Sequence, residues 1–93
     1  MSDARFEWDD EKAEKNLDKH GISFDEASTV IDDAHVLMLP DWEHGEPRLL
    51  AIGMSARSRV LFVVTLELDN DRYRIISARK ANRHERKQYE EGD

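Results

Sequence analysis

The 93-residue chain contains no cysteine. This absence excludes disulfide bonds, zinc–thiolate sites and thiol nucleophiles, and it fits a protein of the reducing cytoplasm. No apolar run approaches the ~20 residues of a membrane-spanning helix, and no apolar secretory segment follows Met1. We therefore expect a cytoplasmic protein without a membrane partner.

Glycine, proline and histidine are also sparse, with four, two and four residues respectively. Gly53 alone does not make a phosphate-binding loop, and no nucleophile-elbow pattern of a serine hydrolase is present. The histidines lack the paired spacing of a metal site; they are His20, His35, His44 and His84. We expect one domain over residues 1–93 that needs neither a metal nor another cofactor.

Charge is abundant but unevenly distributed. The formal net charge is −7, yet residues 1–46 hold 14 acidic and 4 basic side chains, whereas residues 47–93 hold 7 acidic and 10 basic ones. Residues 72–87 alone hold seven Lys or Arg and one Glu. The second half therefore suits a polyanion, and the alternative interpretation of the asymmetry is solubility alone.

Local signals predict three helices, over residues 10–20, 24–32 and 81–91. Asp9 offers an N-cap for the first helix, and Gly21 fits the position after its last residue. Ser23 and Glu26 have the spacing of a capping box at the start of the second helix.

Apolar patterning predicts strands over residues 36–39, 48–55, 60–66 and 73–78, with a short additional strand at 6–8. Pro40 is expected to end the first of the four, before a loop at 41–47. The nearly continuous apolar run 60–66 indicates a central strand covered on both sides. Tight turns at 56–58 and 69–71 favour a meander. The predicted fold is α+β, with two N-terminal helices, an antiparallel sheet of about four strands and a C-terminal helix.

Motifs along these elements resemble the BrnT toxin family. In the first half they are Phe6-Glu7-Trp8-Asp9, Lys12, Asn16 and Lys19-His20-Gly21-Ile22-Ser23-Phe24-Asp25-Glu26-Ala27. In the second half they are Arg48, Ile52-Gly53-Met54-Ser55, Arg74-Ile75-Ile76-Ser77-Ala78-Arg79-Lys80-Ala81, Glu85, Arg86 and Tyr89. The resemblance covers about residues 6–91, and the order of these short motifs makes it specific.

The resemblance implies a RelE-like fold and a toxin of a type II toxin–antitoxin module, which cleaves mRNA with or without the ribosome and inhibits translation. It also implies a hetero-oligomer with a BrnA-like ribbon-helix-helix antitoxin that inhibits the toxin. The antitoxin, and not the toxin, would contact DNA directly. Two positions depart from the family pattern. The stretch 65–69 lacks a basic residue common there, and Ser58 stands in the region of a usual turn glycine. The alternative is a catalytically weakened or inactive protein that still binds antitoxin and serves operon autoregulation.

Metal-free RNA cleavage needs a base for the 2′-hydroxyl, cations for the phosphorus centre and an acid for the leaving oxygen. Arg79 and Lys80, at the end of the last strand, are expected to hold phosphate. In a regular strand Arg74 and Arg79 would face opposite sides of the sheet. His20, beside Lys19, suits both proton transfer and a purely structural role at the helix C-terminus.

Two residues of the last helix carry paired interpretations. Glu85 is a candidate general base if its pKa is raised, and the alternative is that it only forms a salt bridge on the helix. Tyr89 suits contact with a base or phosphate, or an anchor between helix and sheet. The predicted catalytic residues are Arg79, Lys80, His20, Glu85 and Tyr89, and the predicted RNA-binding residues are Lys19, Arg74, Arg83 and Arg86. A nucleic-acid-binding module unrelated to toxins is a third hypothesis, which the net charge disfavours.

Overall fold

A computed structural model describes residues 4–43, 45–69 and 71–92. Its elements are β1 (Phe6–Glu7), α1 (Asp10–His20), α2 (Phe24–Thr29), a 3-10 turn (Val30–Asp32), β2 (Leu37–Asp41), β3 (Arg48–Met54), β4 (Val60–Glu67), β5 (Tyr73–Lys80) and α3 (Arg83–Glu91). His44 and Asn70, the middle of the predicted 69–71 turn, lie outside the described residues. Within those ranges, no helix has the length and apolar character needed to cross a membrane.

The predicted α+β fold is confirmed, and one feature of the sheet differs from the prediction. The five strands lie in the order β1-β5-β4-β3-β2, and the antiparallel meander from β2 to β5 is as expected. However, β1 pairs with β5 in parallel, so the sheet is mixed. The start of β1 thereby lies beside Tyr73 at the N-terminal end of β5.

The ends of α1 follow from its capping residues. The Asp9 carboxylate accepts the amide hydrogens of Glu11 and Lys12 at 2.9 and 3.1 Å. Gly21 closes the helix in the left-handed conformation, with φ of 71°. These local interactions were readable from the sequence, and the predicted bounds of α1 are confirmed.

Several predicted boundaries were wrong, and within the predicted 24–32 helix α2 ends at Thr29 and a 3-10 turn follows. Pro40 lies inside β2 because β2 is an edge strand, where a missing N–H need not break a ladder bond. β5 continues through Arg79 and Lys80, so both side chains are positioned by the sheet. The last helix begins at Arg83 rather than at residue 81, because Asn82 is its N-cap.

The core lies on one face of the sheet, against α1 and α2. Leu61 and Val63 of β4 are fully buried there with Phe24 and Ala27 of α2. The alternate residues Phe62, Val64 and Leu66 are only half-buried on the other face, so the predicted burial of β4 on both sides was wrong. Glycine at position 53 allows β3 to approach the segment after α2, since a Cβ there would lie 3.0 Å from Val30 Cγ1.

A β-bulge in β5 changes which side chains share a face. Val64 lies opposite Ser77 and Thr65 opposite Ile75, so Ile76 is an extra residue in the ladder. Because directly opposed residues share a face, Arg74 (opposite Leu66) and Arg79 (opposite Phe62) point to the same side. The expectation of opposite faces assumed a regular strand and was wrong.

Candidate nucleic-acid interface

A basic groove lies where β5 ends and α3 begins. Its volume is about 400 Å³, and its lining residues are Ser58, Arg59, Val60, Lys80, Ala81, Asn82, Arg83 and Arg86. We call it the strand-end groove. All four charged residues in this lining are basic, although the whole chain has a formal net charge of −7. Such a concentration of positive charge suits a phosphate-bearing ligand.

The start of α3 is fixed by a capping box. The Asn82 side chain accepts the Glu85 amide hydrogen at 2.8 Å, and Glu85 Oε1 accepts the Asn82 amide hydrogen at 2.9 Å. Arg83 and Arg86 follow three residues apart, on neighbouring positions of the first turns. The Asn-x-x-Glu spacing is a readable signal for this cap, and the sequence interpretation missed it.

Three cations of the strand-end groove are exposed, and no acid within residues 4–43, 45–69 and 71–92 pairs with them. Lys80, Arg83 and Arg86 all have exposed side chains. None of them forms an ion pair with a residue in the part of the chain that the structure describes. These three predicted site residues therefore lie together and present their charge to solvent, where an anionic ligand can replace water.

Arg79 lies beside this groove but has its own counterion. Its Nη1 and Nη2 atoms donate to Glu85 Oε1 and Oε2 at 2.8 and 2.9 Å. The guanidinium also stacks 4.4 Å from the centroid of the Phe62 ring. The hydrogen bond to Glu85 raises the pKa of Arg79 above its ordinary value. Arg79 thus joins β5 to α3 through a matched charge pair.

The same pair determines the protonation of Glu85. Burial acts to raise the pKa of the Glu85 carboxyl, but hydrogen bonds from Arg79 and from the Asn82 backbone outweigh it, so the pKa lies below its ordinary value. A general base working near neutrality would need the opposite shift. Glu85 therefore does not have the raised pKa that a general base needs, and its geometry is that of a salt bridge with Arg79.

Tyr89 is placed away from the strand-end groove. Its hydroxyl donates to Asp33 Oδ2 at 2.5 Å, and the Met54 amide donates to the same oxygen at 2.8 Å. The hydrogen bond to Asp33, together with burial, raises the pKa of Tyr89 to about 12. Tyr89 therefore anchors α3 to β3 and to the segment after α2. Asp33, the centre of this contact, was not singled out from the sequence.

Lys19 and His20 line a different cavity, which we call the helix-edge groove. It has a volume of about 220 Å³ between α1 and β5, and its lining residues are Lys12, Lys15, Asn16, Lys19, His20, Ile76 and Ser77. Its charged and titratable residues are again all basic. The two predicted residues therefore do not adjoin Arg79 directly but belong to a second basic surface along the same strand.

Asn16 holds α1 against the edge of β5. Its side-chain amide donates to the carbonyl oxygens of Ile22 and Ala78 at 2.9 and 2.8 Å, and its oxygen accepts the Ala78 amide hydrogen at 3.1 Å. The buried Asn16 thereby satisfies a strand edge that β1 does not reach. No local pattern revealed this role, because its partner is 62 residues away in sequence.

Arg59, beside the start of β4, bonds to Glu26 of α2 and to the residue after α1. Its Nε donates to Glu26 Oε2 at 2.9 Å, and its Nη2 bonds both to Glu26 Oε1 and to the Gly21 carbonyl, the latter at 3.5 Å. Ser55 Oγ donates to Glu26 Oε2 at 2.6 Å. The predicted capping box at Ser23 is only half formed, since the Glu26 carboxylate is engaged here instead.

Arg74 lies at the opposite end of β5. Its guanidinium bonds Glu7 Oε2 at 2.9 and 2.6 Å, and Arg72 bonds the other oxygen of Glu7 at 2.7 Å. Because of the bulge, Arg79 and Arg74 lie opposite Phe62 and Leu66 of β4, and the rise of that strand puts their Cα atoms roughly 13 Å apart. The two arginines share a face but cannot clamp one phosphate.

The sequence of this chain matches a known family of toxins. The model of the family described as ribonuclease toxin, BrnT, of type II toxin–antitoxin systems matches residues 8–85. The chain therefore belongs to the BrnT family, and membership in a type II toxin family implies an antitoxin partner.

A solved structure supports the fold. The chain is similar to the 1.1 Å crystal structure of the Brucella abortus ribonuclease toxin, BrnT, with a TM-score of 0.64 and 24% sequence identity. The match covers 82% of this chain and 94% of that one. At this identity the likeness shows the shared α+β fold. No curated protein matches the chain.

Proposed function

We propose that this toxin cleaves mRNA by a metal-independent reaction at the strand-end groove and so inhibits translation in the cytoplasm. The observation that carries the proposal is the set of three exposed cations, Lys80, Arg83 and Arg86, which pair with no acid among the described residues and lie in one groove of an acidic protein. A polyanion is the substrate that this arrangement attracts most strongly.

The proposed reaction is attack of a ribose 2′-hydroxyl on the adjacent phosphorus, with departure of the 5′-oxygen. Lys80, Arg83 and Arg86 would stabilise the additional negative charge on the phosphorus centre, each by roughly 3–4 kcal/mol if well placed. His20, the predicted proton-transfer residue, lines the neighbouring helix-edge groove, and we propose that it reaches the 2′-hydroxyl of RNA bound across both grooves. No cofactor is needed for this chemistry.

The remaining predicted residues receive supporting roles in this proposal. Arg79 and Glu85 position the start of α3, and Tyr89 anchors that helix. Arg74 would contact more distant RNA phosphates when released from Glu7. The proposed partner is a BrnA-like ribbon-helix-helix antitoxin that covers the basic surface and contacts DNA, whether or not the toxin acts at the ribosome.

One pattern favours the alternative of a catalytically weakened protein that retains antitoxin binding and operon autoregulation. Arg59, Arg74 and Arg79 are each paired with a glutamate, so three of the cations near β5 are already neutralised. The stretch 65–69 also contains no basic residue.

Expression of the chain without antitoxin tests the proposal. Wild type should arrest growth, and the double variant Lys80→Gln/Arg83→Gln should not, although both accumulate as folded protein by circular dichroism. The control Arg57→Gln/Lys87→Gln removes the same charge from exposed positions outside the groove and should remain toxic. A toxic Lys80→Gln/Arg83→Gln variant would refute the assignment, and a harmless wild type that still binds antitoxin would favour the alternative.

A further inference from the structure

Helix α1 separates its charges by face. Lys12, Lys15 and Lys19 follow at intervals of three and four residues and line the helix-edge groove. The acidic residues of the helix, Asp10, Glu11, Glu14 and Asp18, do not line it. The lysines therefore form a basic face on this side of α1, which suits a ligand of negative charge.

The basic face is held in a fixed position. Asn16 lies among the three lysines in sequence, and its side chain makes three hydrogen bonds to the backbone of Ala78 and Ile22. This contact aligns the lysines with Ile76 and Ser77, where the bulge interrupts the strand. The groove is thus built between two rigid elements, which reduces the cost of ordering charge around a ligand.

The helix-edge groove and the strand-end groove both border β5. Ser77 borders the first and Lys80 borders the second, so the two are separated by three residues of β5, roughly 10 Å of strand. An extended single strand of a few nucleotides can follow β5 and place phosphates in both. A duplex has no such freedom to follow one strand edge.

We propose that the helix-edge groove is a second phosphate-binding subsite, which holds the same single-stranded RNA to one side of the scissile bond. Lys12 and Lys19 supply charge without an ion pair to any described residue, and Lys15 adds charge beside its exposed contact with Glu11 at 3.4 Å. This inference rests on the proposed function, because it assigns the substrate class and its path along the same strand.

Binding of a short 2′-O-methylated RNA oligonucleotide tests the subsite. Such RNA cannot be cleaved through its 2′-oxygen, so its affinity can be measured whether or not the protein is catalytically active. The Lys12→Gln/Lys19→Gln variant should bind roughly tenfold more weakly at low salt, and the slope of log affinity against log salt should fall by about 1.4, because two contacts with single-stranded phosphates are lost. The Arg57→Gln/Lys87→Gln control should keep the wild-type slope.

The outcomes separate this inference from the proposed function. If Lys80→Gln/Arg83→Gln weakens binding while Lys12→Gln/Lys19→Gln keeps the wild-type affinity and slope, the second subsite is refuted and the strand-end site remains. If the Arg57→Gln/Lys87→Gln control weakens binding as much as Lys12→Gln/Lys19→Gln does, the loss of affinity comes from the change in net charge, and the subsite is also refuted. If wild type binds no RNA, both proposals fail.

Discussion

Arg79 and Glu85 meet through two parallel hydrogen bonds, from Nη1 to Oε1 at 2.8 Å and from Nη2 to Oε2 at 2.9 Å. Glu85 Oε1 also accepts the Asn82 amide hydrogen, so one carboxylate joins the end of β5 to the cap of α3. This connection aims Arg83 and Arg86 into the strand-end groove. The pair therefore acts on the site through the position of its neighbours.

Glu85→Gln should reduce stability modestly and leave most activity. The amide keeps acceptor capacity but loses the charge opposite Arg79. Because the Arg79 side chain is 38% exposed, we expect a loss of only about 1–2 kcal/mol in the free energy of unfolding by urea titration. RNA cleavage should fall less than about tenfold, whereas loss of a general base typically costs about 10²–10⁴-fold. A drop of that larger size in a fully folded Glu85→Gln variant would show that Glu85 acts as the general base.

Asn16→Ala should be the more damaging change. The buried Asn16 side chain satisfies two backbone groups of Ala78, and alanine leaves both without a partner. We expect the free energy of unfolding to fall by about 2–4 kcal/mol. Glu14→Gln, an exposed change on the same helix, should stay within about 0.5 kcal/mol of wild type. Equal stability of the two variants would contradict the edge-capping role.

Tyr89 should titrate unusually late. With the phenol pKa raised to about 12 by Asp33, ultraviolet titration should show a phenolate that forms well above the ordinary value of 10.0. The Tyr89→Phe variant should lack that late transition. Since the folded pKa is the higher one, the stability contributed by this contact is complete below pH 10 and is lost as pH rises towards 12. A tyrosine spectrum that completes its titration near pH 10 would contradict the anchor.

Glu26 should make the fold sensitive to acid. The hydrogen bond from Arg59 outweighs burial and lowers the pKa of Glu26 below its ordinary value of 4.5. A depressed carboxyl pKa stabilises the fold above the unfolded value, and that stability disappears as pH falls through the folded value. Unfolding free energy should therefore decline below about pH 4.5 more steeply in wild type than in Glu26→Gln. Glu14→Gln is the matched control and should keep the wild-type slope.

The sequence was informative for most of the local structure, although the Asn82 cap of α3 was missed. Asp9, Gly21 and Ser23 bound their helices through contacts within a few residues, so those predictions held. The antiparallel meander likewise followed from short turns and apolar runs.

Long-range geometry was not readable in the same way. The bulge at Ile76 reversed the expected relation between Arg74 and Arg79, because one inserted residue shifts the phase of the period-two pattern, and simple alternation through it assigns the wrong face. The anchoring of Tyr89 by Asp33 depends on a partner 56 residues away in sequence. The sequence showed the basic cluster at residues 72–87. Which of its cations pair with Glu7 and Glu85 depends on where the fold places those two glutamates.

The central claim is that Lys80, Arg83 and Arg86 of the strand-end groove act on RNA phosphate. The most direct measurement is the rate at which the purified, antitoxin-free chain cleaves RNA in excess EDTA, compared between wild type, Lys80→Gln/Arg83→Gln and Arg57→Gln/Lys87→Gln. We predict cleavage by wild type and by the Arg57→Gln/Lys87→Gln control, and a rate lower by about a hundredfold or more in the folded groove variant. Equal rates for all three proteins, or cleavage that stops with EDTA, would contradict it.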